Sequence, residues 1–220
     1  MDGENKLSLI PEDQRENIKS KLAEALVNPV RVIMFTQEPE CQFCAQTKQL
    51  ITELASLNDK ILAEVHDFIA DAELAKQYSI DKIPGIAIVG QKDYGVRIFG
   101  LPYGYEFQTM LAALTTVSQG KTDLSEETKV KLHALNVPVH IQVFVTLTCP
   151  HCPTAAAMAH EFAIENDLIT ADVIDANEFP QLAIKYGVMG VPKIVVNEKV
   201  EFVGAVPENM FLEHVLLGTR

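Results

Sequence analysis

Residues 146–158 read TLTCPHCPTAAAM, two cysteines three positions apart followed at once by small, helix-favouring residues. A strand-like run, VHIQVF at 139–144, stands before them. Cysteines at this spacing can form half of a zinc site, a structural staple or a reactive dithiol, and the rest of the chain decides among them. The arrangement recurs upstream, where VRVIMF at 30–35 leads to CQFC at 41–44. Cys41, Cys44, Cys149 and Cys152 are all the cysteines there are, so none is spent as core filler. In a cytosol that keeps thiols reduced, such usage points to catalysis or metal, not to static cross-links.

The chain is written twice. A shift of 108 carries Cys41 to Cys149, Cys44 to Cys152, Asp67 to Asp175, Tyr78 to Tyr186, and Ile83–Pro84 to Val191–Pro192. Upstream of the cysteines the shift is 109, and Gly100 matches Gly204 at a shift of 104, so the turn between the last two strands is four residues longer in the first copy. Indels confined to loops are the mark of a duplicated domain. Each copy reads α-β-α-β-α-β-β-α: a leading helix (15–27, and roughly 124–135), two strands flanking the helix that follows the cysteines, a short helix, two close strands after the proline, and a closing helix. A β-α-β start enforces parallel pairing, and the short last connection makes a hairpin. The expectation is an α/β fold of two tandem units, 1–120 and 121–220, each a central mixed four-stranded sheet flanked by helices. The repeated leading helices are expected to help pack the units into one rigid body with the two sheets continuous or nearly so.

Composition narrows the function. Across 220 residues the chain is 48% hydrophobic, enough for one large or two small cores. A net charge of −12 argues against binding the phosphate backbone of a nucleic acid. The acidic start MDGENKLSLIPEDQREN lacks the basic, then apolar, pattern of a secretory signal, and no stretch approaches the ~20 apolar residues of a spanning helix. A cytoplasmic protein with no membrane partner is expected.

A C-x-x-C between a first strand and its helix, with a proline before the third strand, resembles the thioredoxin fold. Two such units, each with its dithiol, resemble the two-unit, glutaredoxin-like protein disulfide oxidoreductases of archaea and thermophilic bacteria. The resemblance covers essentially the whole chain. It implies cis bonds at Ile83–Pro84 and Val191–Pro192, where the backbone before each proline would face an extended substrate strand. The segment FVTLTCPHCP also resembles the second unit of the N-terminal domain of alkyl hydroperoxide reductase flavoproteins, whose first unit lacks the dithiol kept here. Unlike single-unit thioredoxins, neither strand before a dithiol carries a carboxylate, so both units look closer to glutaredoxin.

The chemistry of the residues agrees. A first cysteine at a helix N-terminus lies among free N–H groups and the positive end of the helix dipole, which favour the thiolate, the attacking species in thiol exchange. Cys41 and Cys149 are therefore assigned as attacking thiols, and Cys44 and Cys152 as resolving thiols. Four-cysteine zinc sites usually separate their pairs by about 15–20 residues in a small fold, whereas here each pair sits in its own repeat, and no metal is expected. No glycine motif passes from a strand into a helix as a dinucleotide fingerprint would, so no bound NAD or flavin is expected and electrons must come from elsewhere. The leading function is a thiol-disulfide oxidoreductase acting on protein disulfides, served by a flavoprotein thioredoxin-type reductase. The alternatives are a dedicated electron relay from such a reductase to a peroxidase and, further off, a thioredoxin-fold binding module.

The two dithiols are expected to be unequal. Glu38 and Glu40 stand by Cys41, whereas Thr146 and Thr148 hold those places by Cys149, and His151 lies between Cys149 and Cys152 as a donor or positive charge. Each unit of thiol pKa corresponds to about 1.4 kcal/mol, or about 30 mV in a two-electron couple. Alkylation rate against pH, measured on Cys41→Ser/Cys44→Ser and on Cys149→Ser/Cys152→Ser, should give Cys149 the lower apparent pKa. A lower value at Cys41 would refute the ordering.

Overall fold

The apolar runs of both repeats become the strands of a single sheet. A computed structural model describes residues 8–37 and 41–220. The N-terminal half contains α1 (Glu12–Ala25), β1 (Val30–Thr36), α2 (Cys44–Ala55), β2 (Ile61–Asp67), α3 (Ala72–Gln77), β3 (Gly85–Val89), β4 (Asp93–Phe99) and α4 (Glu106–Gln119). The C-terminal half repeats the order with α5 (Glu126–His133), β5 (Val139–Val145), α6 (Cys152–Glu165), β6 (Ile169–Asp175), α7 (Pro180–Lys185), β7 (Lys193–Val196), β8 (Val200–Val203) and α8 (Glu208–Leu217). β3 is buried along its length, and β1 and β5 along all but Arg31 and His140, which is why they read as unbroken apolar runs. α2 turns Thr47, Leu50, Ile51 and Leu54 to the core at helical spacing.

The leading helix runs from Glu12 to Ala25, where the apolar spacing suggests 15–27. Pro11, with its fixed φ, precedes the first turn, and Glu12 and Asp13 favour the helix start electrostatically. At the other end Leu26 turns extended, three residues before Pro29.

The strand order is β2-β1-β3-β4-β6-β5-β7-β8. Each half supplies four strands, and the halves meet where β4 pairs in parallel with β6, Val96–Phe99 lying against Ala171–Ile174. Close approach is built in at Gly95, whose φ is +79° and where a Cβ would lie 2.6 Å from the Ile169 carbonyl oxygen. Above this junction α6 packs on α4 and also on β4. Its buried residues include Ala155, Ala156, Ala159 and Ala163 beside the larger Phe162 and Ile164, and the alanines let the helix approach the strands closely. His160, 2% exposed, donates from Nε2 to the carbonyl of Arg97 at 3.3 Å, and burial pushes its pKa down to about 4, so the imidazole is neutral.

The sheets are thus continuous, but the leading helices are not what joins them. α1 packs on α4, and α5 on α6 and α8, each within its own half, while β4–β6 and α4–α6 make the junction. The reason is geometric: parallel pairing uses the edge of β4, and the helices next to that edge are α4 and α6. One face of the sheet carries α1, α2, α4, α5, α6 and α8, and among the described residues the other is covered by α3 and α7. No helix among the described residues is long and apolar enough to cross a membrane.

Candidate active site

Topology places both dithiols on one edge of the sheet. β1 is parallel to β2 and antiparallel to β3, β3 is antiparallel to β4, and β4, β6 and β5 are mutually parallel. The C-terminal ends of β1 and β5, each followed by its cysteines, therefore point the same way. β1 and β5 are four steps apart in the sheet, or roughly 20 Å at strand spacing.

Each pair is closed as a disulfide, with Cα–Cα separations of 5.4 Å (Cys41–Cys44) and 5.5 Å (Cys149–Cys152). The helices start at the second cysteine of each pair, so the first lies in the turn that leads into the helix. The Cys152 N–H donates to Cys149 Sγ at 3.1 Å, which places a helix-start amide where a thiolate would form on that sulfur once the disulfide is reduced. Cys44 and Cys152 are fully buried, whereas Cys41 is partly exposed and Cys149 is 7% exposed. His151, exposed, occupies the N-cap position of α6. Glu38 and Glu40 lie outside the described residues.

Both X-Pro bonds, Ile83–Pro84 and Val191–Pro192, are cis. Pro84 and Pro192 are buried, while Ile83 and Val191 remain partly exposed. Register fixes their place: Phe35 of β1 pairs with Gly85, and Phe144 of β5 with Lys193, so each proline sits next to the strand end that leads to a dithiol.

Three carboxylates behind the second dithiol were not anticipated from the sequence. Asp175 pairs in register with Val145 at the end of β5. Glu106 opens α4 at 2% exposure, with Oε2 accepting from the Thr109 hydroxyl at 2.8 Å and Oε1 buried without a partner among the described residues. Glu178 reaches back to the other half, accepting from the Leu101 N–H at 2.7 Å. The Tyr105 N–H donates to the Leu147 carbonyl at 2.9 Å, which ties the start of α4 to the loop carrying Cys149. Glu106, Asp175, Val145 and Leu147 share one small void there. Burial pushes the carboxyls of Glu106 and Glu178 up to about 7, with the neighbouring Asp175 adding to it, and burial raises Asp175 as well. Among the described residues the first dithiol has no such set behind it: Asp67, the counterpart of Asp175, is exposed and caps the N–H groups of Ile69 and Ala70. Between Gly100 and α4 the first copy has residues 101–105 where the second has only 205–207 before α8, and that longer segment crosses to Leu147.

Comparison with known proteins agrees with this geometry. Residues 139–217 match the family model for a thioredoxin domain. A thioredoxin of Methanocaldococcus jannaschii is 41% identical over 78 residues, which is 35% of this chain and 92% of that protein. The crystal structure of a protein disulfide oxidoreductase from Aeropyrum pernix superposes with a TM-score of 0.88 at 31% identity, covering 94% of this chain and 92% of that one. The chain belongs to the two-unit, thioredoxin-fold protein disulfide oxidoreductases. It is a thiol-disulfide oxidoreductase. The F component of Escherichia coli alkyl hydroperoxide reductase is 24% identical over 186 residues, and the chain spans 34% of its length.

The raised carboxyl of Glu106 gives a pH test of this oxidoreductase. Its pKa is about 7 when folded against an ordinary 4.5, so the folded state holds the proton more tightly. That contribution to stability is fully present below about pH 4.5 and is lost as pH rises through about 7. Glu106→Gln should therefore flatten the fall in stability between pH 5 and 8, by up to about 3 kcal/mol. Urea unfolding across that pH range measures it, and an unchanged slope would show that Glu106 is not held protonated.

Proposed function

We propose that the protein reduces, forms or rearranges disulfides in other proteins, with Cys41 and Cys149 attacking and Cys44 and Cys152 resolving. The observation that carries this reading is the repeated pairing of a more accessible first sulfur with a buried second one at a helix start, beside a cis proline. In the reducing direction a Cys149 thiolate attacks one sulfur of a substrate disulfide, forming a mixed disulfide and releasing the other sulfur as a thiol. Cys152 then attacks Cys149 Sγ, which frees the second substrate thiol and leaves the Cys149–Cys152 disulfide. Two electrons and two protons pass from the protein dithiol to the substrate. Cys41 and Cys44 act in the same way. The backbone at Ile83–Pro84 and Val191–Pro192 positions the substrate strand, and His151 favours the Cys149 thiolate.

Glu106 acts as a proton-holding group for the second site. A buried carboxyl with a pKa near 7 exchanges a proton at neutral pH, which a thiol becoming a thiolate requires. Electrons return from a flavoprotein thioredoxin-type reductase, in the cytoplasm, and the two working units divide near residue 120. Neither dithiol reaches the other directly over roughly 20 Å of sheet, so the sites act separately or on one large substrate. The likeness to the F component of alkyl hydroperoxide reductase favours a second reading, a relay from such a reductase to a peroxidase. Substrate breadth separates the two: a general enzyme reduces insulin-like disulfides, and a relay serves one partner.

Replacing the resolving thiol tests the proposal. Cys152→Ser and, separately, Cys44→Ser should abolish turnover at the altered site and accumulate mixed disulfides with client proteins, seen as high-mass bands that a reductant dissolves. Failure of both variants to hold any protein, with the wild type still redox-active, would overturn the protein-substrate reading.

A further inference from the structure

The sheet order makes the surroundings of the two dithiols different. In each half the strand after the cis-proline hairpin flanks the site, but β4 is an interior strand and β8 is an edge strand. The flank of the first site is therefore filled by the other half of the molecule. Phe99, at the end of β4, is 1% exposed and meets the Phe179 ring edge-on at 6.5 Å. A Cβ at Gly100 would lie 2.9 Å from Asp175 Cβ and 3.2 Å from the Glu178 carboxyl. Before Pro84 the chain presents Asp81 and Lys82, whose ammonium lies 2.5 Å from the Asp81 carboxylate and 3.6 Å from the Phe99 ring centroid.

At the second site the corresponding places are open and apolar. A shift of 108 turns Asp81 into Met189 and Lys82 into Gly190, and a shift of 104 turns Phe99 into Val203. Met189 is 97% exposed and Val203 is 59% exposed. They border one surface: a Cβ at Gly190 would lie 3.9 Å from Val203 Cγ1, and the Gly204 N–H donates to the Pro192 carbonyl at 2.8 Å. A Cβ at Gly204 would meet nothing within 4 Å, so space is free beside the cis proline.

We infer that the C-terminal dithiol takes disulfides embedded in apolar, extended segments, as an unfolded chain exposes, through a rim of Met189, Val191 and Val203. The N-terminal dithiol, bordered by Asp81 and Lys82 and with its β4 flank covered by the other half, does not share that preference. An apolar side chain seated on the rim removes exposed hydrophobic surface from water, and methionine adapts its shape to varied partners. The bond chemistry is that already given: the Cys149–Cys152 dithiol is oxidised to a disulfide as the substrate disulfide is reduced to two thiols. The inference rests on the protein-disulfide reading and adds which site serves which substrate.

The test uses two full-length single-site proteins, Cys41→Ser/Cys44→Ser and Cys149→Ser/Cys152→Ser, both reduced beforehand. Each is mixed with two disulfide-bonded peptides, one flanked by Leu and Val, the other by Glu, Lys and Ser, and the second-order rate constants are compared. The protein keeping Cys149 and Cys152 should favour the apolar peptide roughly tenfold, and Met189→Lys should remove most of that ratio. The protein keeping Cys41 and Cys44 should show a ratio near one, and Asp81→Met should raise it. Equal ratios in the two proteins, or a ratio that Met189→Lys leaves unmoved, would overturn the site assignment alone. Reaction of both proteins with a small aromatic disulfide but with neither peptide would overturn the protein-disulfide reading and this inference with it.

Discussion

The parallel pairing of β4 with β6 is the contact on which the rest of the molecule depends. A two-unit chain of this kind could have remained two bodies on a linker, since interfaces between domains are usually small and polar. Here the backbone hydrogen bonds of one half continue into the other, with Val96–Phe99 laid along Ala171–Ile174. The pairing depends on local choices in the sequence. Gly95 lets the strands approach, the alanines of α6 lower a helix over the seam, and His160 stays neutral to bond the Arg97 carbonyl. Arg97 itself is 2% exposed, with its guanidinium bound to Asp93 at 2.6 and 2.9 Å and to the Tyr78 carbonyl at 2.5 Å. Removing one partner from such a buried set leaves an uncompensated charge.

Two consequences follow from the seam. Because the pairing is parallel, both dithiols open at the same end of the sheet. Because one half contributes its flank to the seam and the other keeps its flank free, identical motifs acquire different surroundings. The second site gains Glu106 and Asp175 around the void beside its loop, with Glu178 bonded to Leu101 next to it, and the bare rim of Met189 and Val203. A duplicated domain thus yields unequal sites with no change in the motifs themselves.

Much of this was legible in the sequence. The duplicated C-x-x-C motifs and the apolar runs marked the four cysteines and the order of elements, because each is a local signal, whereas the cis state of both prolines came from the resemblance to the thioredoxin fold, since an X-Pro bond by itself favours trans. The core face of α2 was readable for the same reason, from the helical spacing of Thr47, Leu50, Ile51 and Leu54. The seam was not readable. Which edge of each sheet pairs depends on contacts between residues some seventy-five apart, such as Val96 and Ala171, and periodicity within a strand carries no record of its neighbour. The leading helices looked like the joining elements because they were the addition to a minimal unit, yet they pack within their own halves. Glu106 escaped notice because an acid at a helix start is ordinarily exposed and favourable there, and only the opposite half buries it.

One sheet makes one body, and NMR relaxation of backbone amides on the intact chain tests this most directly. A single rotational correlation time, appropriate to a body of 24.3 kDa and shared by β1–β4 and β5–β8, is the result expected. Two shorter correlation times, one for each half, would contradict it.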